Sequence, residues 1–435
     1  MRRLVAIFGG AVLLLFMCQP VAAAALWTVT PEVWVEQHYT DNLFREREDR
    51  SWDWTTVVGT GLELEASGRT EGMTLSYRPS YSMYYRYDEY NTLRHRADLD
   101  LWKDLNRNLR FSFLNSFDRR EQPFDPGDLE IELDPDYIDA EELRRGREPR
   151  TINTARTRLD YDYGPRNTVY AQYALRHEWN DNPGEEDIVR HSPSAGLTHW
   201  FNRSYGVEAR TQYTHGIYDE TEDRDIWDSR ARLMRNFTRN VDGYVQYRHS
   251  HVRYTGDRPG YTVYEPSAGV SYRFAREGSM SLGLGYYIRE EQDEEDSEES
   301  LIVNAEIDKT WSQRRSSFTL RGASGYTETM LGDEEEQGFT VYYHGRADYT
   351  YALSRNLDWN ISAGYRRSIY RDREPERRDN IYHGGSGLGY MLTRNVSLGL
   401  DYDHRRVDSN LRTEEYYENR ATLSLIWRPQ GWRLN

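Results

Sequence analysis

Cysteine occurs once in the 435 residues, at Cys18, and beyond residue 25 no apolar run approaches the roughly 20 residues that a membrane-spanning helix needs. The first shortage removes disulfides, thiolate zinc sites, covalent haem attachment and iron–sulfur clusters from the mature chain, and no cofactor or metal is expected. The second removes a helical membrane bundle. Apolar residues are scarce throughout, at 37% with a mean hydropathy of −0.91, and no stretch reads as a conventional buried core. A net charge of −16 on so polar a chain would suit a solvated coil and gives no basis for a nucleic-acid partner. Against a coil stand 35 Tyr, 12 Trp and 12 Phe, far too many aromatics for a chain that buries nothing.

The N-terminus carries the three parts of a secretory signal peptide: Arg2 and Arg3, an apolar stretch over residues 4–17 and small residues over 22–25. Cleavage is expected after Ala24 or Ala25, leaving residues 1–24 as the signal, and it removes Cys18. A lipoprotein signal fits less well, because Met17 stands before Cys18 where a small residue is usual.

Along the rest of the chain apolar and polar residues alternate with period 2 over stretches of about 10 to 14 residues, the length of a tilted strand crossing an outer membrane. In residues 396–403, Val396, Leu398, Leu400 and Tyr402 face one way and Ser397, Gly399, Asp401 and Asp403 the other. Residues 109–117, 205–217, 280–288, 339–351 and 357–365 divide in the same manner, and a helical period sorts none of them. Short connections centre on Arg69, Arg107, Arg166, Arg203, Arg239, Arg276, Arg314, Arg355 and Arg394, five of them followed by Asn, a residue suited to tight turns. Their spacings are 38, 59, 37, 36, 37, 38, 41 and 39 residues, a hairpin repeat interrupted by one long connection. The arithmetic predicts a single all-β, antiparallel transmembrane barrel over residues 25–435, with about 20 strands and 18 as the alternative. Packed soluble sandwiches are disfavoured, since the face opposite the apolar series is repeatedly charged and needs water.

The longer connections are acidic: eight of ten residues over 290–299, four of five over 219–223 and a run of four over 333–336 are Asp or Glu. They are read as extracellular loops among anionic lipopolysaccharide, with the connection over 119–150 as a candidate gate. The inward face of the strands collects arginines, of which Arg94, Arg96, Arg156, Arg158, Arg210, Arg230, Arg232, Arg248, Arg346 and Arg366 are candidates for guiding an anionic solute. Arg–Asp pairs stiffening the wall are the bland reading of most of them. A count of the clearest inward acids, among them Asp401 and Asp403, leaves the predicted lumen mildly positive. Most tyrosines fall on the lipid face or near strand ends, where aromatic belts form. Tyr84, Tyr170, Tyr287 and Tyr342 point inward and are candidate sugar-stacking platforms. His249 and His251 share a face but lack a third ligand, and the eleven histidines are too scattered to suggest a triad, so no catalytic residue is assigned.

At the start of the mature chain the segment over 31–44 contains Tyr39, Asp41, Asn42 and Leu43 in the order Tyr-x-Asp-Asn-Leu. It resembles the opening of the Putative beta-barrel porin 2 family, and the likeness continues, in pattern more than in motif, through the hairpin series. The resemblance implies an outer-membrane protein of exopolysaccharide and exosortase systems, with a part in exporting surface polysaccharide. The Asp-Asn motif marks the family better than it marks a binding site, since shaping the first loop would explain it. The expected reading is thus a passive outer-membrane conduit, reached by Sec-type secretion in a Gram-negative cell. Lipopolysaccharide, outer-membrane lipids, the barrel-assembly machinery and periplasmic polysaccharide-export proteins are its expected partners. Two other readings stay open: a structural barrel whose acidic loops retain surface polysaccharide, and an outer-membrane enzyme acting on lipid or glycan.

Overall fold

A computed structural model describes residues 26–121, 147, 149–182, 185–274, 278–292, 297–329, 338–372 and 375–434. The expected signal over 1–24, most of the long connection over 119–150, the turn residue Arg276 and the acidic stretches 293–296 and 333–336 lie outside the described residues.

The alternating segments are strands, connected in chain order into one ring. They are β1 (Leu26–Thr40), β2 (Asp53–Ser67), β3 (Glu71–Tyr84), β4 (Thr92–Asp104), β5 (Leu109–Arg120), β6 (Arg150–Gly164), β7 (Asn167–Asn180), β8 (Ile188–Trp200), β9 (Tyr205–Tyr218) and β10 (Arg224–Asn236). The second half follows as β11 (Val241–Tyr254), β12 (Tyr261–Arg273), β13 (Gly278–Glu291), β14 (Ser297–Ser312), β15 (Ser316–Thr329), β16 (Gly338–Ala352), β17 (Leu357–Tyr370), β18 (Arg377–Met391), β19 (Val396–Ser409) and β20 (Tyr416–Trp427). Each strand pairs antiparallel with the next, and β1 pairs with β20 from Val33↔Trp427 to Thr40↔Arg420, so the ring is a closed 20-stranded barrel. A short β21 (Trp432–Leu434) extends the closure by pairing with Trp27 to Val29 of β1. The tail after Trp427, which departs from a usual barrel terminus, thus covers the part of β1 that β20 is too short to reach.

Closure supplies backbone partners where lipid could not, and the side-chain period puts apolar residues against that lipid. Leu233, Val245, Leu284 and Leu400 stand exposed on the outside. Aromatics ring both margins of this band. On the turn side Tyr272, Phe274, Trp311 and Phe318 form a chain of ring contacts with centroids 5.0 to 6.5 Å apart. On the loop side outward tyrosines meet polar partners, as in Tyr77 Oη with His95 Nδ1 at 2.8 Å and Tyr173 Oη with His191 Nδ1 at 2.7 Å. Rings with one apolar body and one hydrogen-bonding end suit the boundary between hydrocarbon and water.

Inside, the two halves differ. Toward the loops inward side chains are buried, including Val57, Val263, Ile302, Ile381, Val407 and Glu418. Toward the turns they stand in solvent: the Arg321 and Asp308 side chains are 52% and 59% exposed. The lumen is therefore an open chamber on the turn side that tightens toward the loops.

Candidate functional site: a charged lumen

Residues two apart on a strand share a face about 7 Å apart, within reach of an arginine and an acid. The sequence uses this spacing repeatedly. Arg96 meets Asp98 at 3.1 Å, Arg158 meets Asp160 at 2.7 Å and Arg346 meets Asp348 at 2.9 Å. Across strands, Arg230 pairs with Glu208 at 2.8 Å and Arg248 with Asp228 at 2.7 Å. Arg94 is held by Glu121, its Nε donating at 2.9 Å, and Arg366 donates to Ser368 Oγ at 3.1 Å. Three of the ten candidates differ. Among the described residues no carboxylate lies within ion-pair distance of Arg156, Arg210 or Arg232. Arg210 donates to the neutral oxygen of Gln212 at 2.9 Å, and Arg232 donates twice to that of Gln246, at 2.9 and 2.6 Å.

Register places several of these side by side. Tyr170 stands opposite Gly196, Gly196 opposite Arg210, Arg210 opposite Arg230 and Arg230 opposite Arg248, one level running across β7 to β11. Directly opposed like charges destabilise a sheet, so three adjacent arginines are a costly arrangement for a wall. Arg190, which the sequence pattern passed over, lies on the same wall opposite Arg176.

Acids gather half-way round the ring. Asp358 of β17, Asp401 and Asp403 of β19, Glu32 and Glu36 of β1 and Glu63 of β2 share the inward face there by their strand registers. Between β16 and β19, Asp401 and Asp403 line a cavity of about 370 Å³ together with Arg346, Asp348, Ser362 and His383. Gly385 of β18 also lines it, and a Cβ there or at Gly387 would collide with the Asp403 or the Asp401 carboxylate respectively. Counted with Glu36, Asp228, Glu265 and Glu418, the interior is not positive as a whole. It is divided, with an arginine wall over β6–β11 facing an acidic wall over β17–β2.

The inward tyrosines are mostly closed off. Tyr84 is 4% exposed and donates to Glu121 Oε1 at 2.8 Å. Tyr287 is 1% exposed in an apolar cluster, and Tyr342 is buried beneath Arg366. Tyr170 keeps partial exposure, but Gly196 underlies its ring and the Arg158 guanidinium sits 4.0 Å above it. His249 and His251 point outward, where His249 packs on Tyr264 and His251 Nδ1 lies 2.9 Å from Thr262 Oγ1. No three His, Cys, Asp or Glu side chains among the described residues gather as metal ligands.

The Tyr-x-Asp-Asn-Leu motif organises the rim. Tyr39 lies on the outside against Trp54, with ring centroids 4.9 Å apart. Asp41 accepts from the backbone N–H and the side-chain amide of Asn419 at 2.8 and 2.7 Å. Asn42, fully buried, donates to the carbonyls of Glu46 and Tyr417 at 2.7 Å and accepts from the Glu46 N–H at 2.9 Å. The Leu43 carbonyl accepts two bonds from Arg147, at 2.9 and 2.6 Å. The motif therefore clamps the first loop to β20 and to the base of the long connection. At the other base of that connection, burial works to raise the Glu121 carboxyl, but the Arg94 guanidinium outweighs it and holds the group below the usual carboxylate range. Burial also pulls the Arg147 guanidinium below its ordinary value.

A closed antiparallel ring with a lipid-compatible outside and a charged inside defines an outer-membrane β-barrel. The model of the Putative beta-barrel porin 2 family matches residues 332–428, from the connection before β16 to the end of β20. Among solved structures, the ferric enterobactin receptor of Pseudomonas aeruginosa in complex with enterobactin is similar in fold, with a TM-score of 0.51 at 10% identity over 92% of this chain and 81% of that one. The siderophore receptor PirA from Acinetobacter baumannii gives a TM-score of 0.50 at 8% identity, over 92% of this chain and 80% of that one. No curated protein sequence matches the chain.

Proposed function

We propose that the protein is a porin-like conduit of the Gram-negative outer membrane that passes a secreted exopolysaccharide. The observation that carries this reading is the level of directly opposed arginines, Arg210, Arg230 and Arg248, on the inward face of the barrel. Glu208 and Asp228 on the neighbouring strands offset Arg230 and Arg248, whereas among the described residues Arg210 meets only the neutral oxygen of Gln212, so the level keeps a cation that stability alone would not call for. Opposed arginine and acidic walls set a field across the lumen, which favours hydrated, dipolar or charged chains over apolar ones and offers many weak contacts rather than one tight site. A carbohydrate chain suits such a surface, and transport of this kind needs no cofactor.

Deletion of the gene, followed by separate measurement of periplasmic and secreted polysaccharide, tests the substrate. The polysaccharide should accumulate in the periplasm and fall outside the cell. Unchanged secretion would remove the substrate assignment.

A further inference from the structure

One stretch of the wall is not laced together. The β13–β14 ladder runs from Gly278↔Lys309 to Glu290↔Ser297, and the β15–β16 ladder runs from Ser316↔Tyr351 to Thr329↔Gly338. Between them, β14 and β15 pair only from Glu306↔Ala323 to Ser312↔Ser317. Among the described residues, the loop-side part of β14 over 297–305 has no ladder to β15. Ser324 marks the point of parting: its hydroxyl accepts from the Ala305 N–H at 3.0 Å and donates to the Val303 carbonyl.

Beyond that point the outer half of the β15–β16 hairpin leans into the barrel. The first five residues of β16, Gly338 to Tyr342, are buried on both faces. Phe339, 0% exposed, packs on Tyr326 at 5.0 Å, Tyr287 at 5.4 Å and Tyr261 at 6.5 Å between ring centroids. Tyr261 is four strands away, roughly 19 Å along the wall at ordinary strand spacing, so the hairpin bridges part of the lumen. Arg248 stacks 4.2 Å over Tyr326, and Asp372 accepts from the Phe339 N–H at 2.9 Å while pairing with Arg289 at 2.6 Å.

Two features make the seam more than a local irregularity. Its turn-side part reaches membrane depth, since below Glu299 the outward residues of the unpaired stretch are Leu301, 78% exposed, Val303 and Ala305. Unpaired strand edges are disfavoured in hydrocarbon, where nothing else satisfies their backbone groups. Immediately inside lies an apolar cluster to which Ile302, Tyr326, Phe339 and Val341 contribute beside the seam. Apolar side chains therefore continue from the lipid face past the unpaired edge into a cluster that is closed in this state, its members 0 to 7% exposed.

We propose that the β14–β15 seam is a lateral portal that admits the acyl chain of a membrane amphiphile from the outer leaflet to the Tyr287–Phe339 cluster. With the longer connections outside the cell, the seam faces that leaflet. The occupant is a lipid hydrocarbon chain because the fold lays such chains against the gap and the lining beyond it is apolar and aromatic. This inference depends on the barrel spanning a membrane and not on which polar solute the lumen carries.

The test uses the full mature chain in liposomes of phosphatidylethanolamine and phosphatidylglycerol, a fraction of the latter carrying a photoreactive diazirine near the end of one acyl chain. Labelled residues are mapped after illumination. Val303 and Tyr326 would become cross-strand neighbours if the existing β14–β15 register continued, so the double variant V303C/Y326C can be oxidised to zip the seam in a chain whose one native cysteine lies in the expected signal. The portal predicts label on Ile302, Phe339 or Val341 in the wild type, its loss in the oxidised variant and its return on reduction. Label confined to outward residues such as Leu284 and Leu301, or interior label indifferent to the cross-link, would overturn the proposal. If the double variant fails to assemble, the wild-type map decides between these outcomes.

Discussion

Asn42 is the side chain whose loss should be felt furthest from its own position. Its amide satisfies backbone groups on the first loop and on β20, which are adjacent only once the ring has closed. Replacing it with alanine leaves the Tyr417 carbonyl and the Glu46 N–H short of partners in a buried place, a loss of about 1–3 kcal/mol. Asn42→Ala should therefore lower the urea midpoint of the folded barrel, as read by its heat-modifiable migration in gels, without changing the strand content of what remains folded. Glu121 gives a prediction with a sign. Its carboxyl ionises below the unfolded-state value of about 4.3, so its pairing with Arg94 contributes fully above that pH and is lost as pH falls through the lower folded-state value. The unfolding midpoint should drop on acidification below about pH 4, and Glu121→Gln should remove part of that drop while costing stability at pH 7. Equal acid sensitivity in the two proteins would show that the pair does not hold the base of the long connection.

At the scale of the strand, glycine decides where rings can lie. Tyr170 of β7 rests over Gly196 of β8, and any Cβ there would run into the ring. Gly196→Ala should tilt Tyr170 out from beneath Arg158 and destabilise the barrel by about 1–3 kcal/mol, measurable as a lower midpoint in urea. Strands and turns were legible in the sequence because lipid on one side and water on the other give the two faces their greatest contrast. Residues 396–403 and 109–117 fall inside β19 and β5, and each Arg-centred turn within the described residues lies between two strands. That contrast fades near the loops, where acids are expected on either face. Glu265 and Glu418 were missed there for that reason, although Glu418-x-Arg420 shows the same spacing as Arg158-x-Asp160 and could have been read. The inward lean of Phe339 and Val341 was not legible at all. Alternation over 339–351 looks the same whether the outer face of a strand meets lipid or is folded inward against aromatic neighbours.

Across the whole molecule, the net charge of −16 says little about what the lumen prefers, because arginines and acids occupy opposite walls. The arginine wall was visible as a list of inward arginines, but which of them lack an acid depends on register, and register is absent from a single sequence. Once the walls are placed, selectivity becomes a testable property of each. Replacing Arg156, Arg210 and Arg232 together with glutamine should move the reversal potential under a salt gradient toward cations. Replacing Asp401 and Asp403 with asparagine should move it toward anions. The central claim, that this barrel is a passive conduit with a divided charged lumen, is tested most directly by single-channel recording of the purified protein in planar bilayers. The account predicts discrete openings, steady or voltage-gated, whose ion selectivity shifts in opposite directions in the two variants. A barrel that inserts but passes no current at any voltage, or whose selectivity ignores both walls, would contradict it.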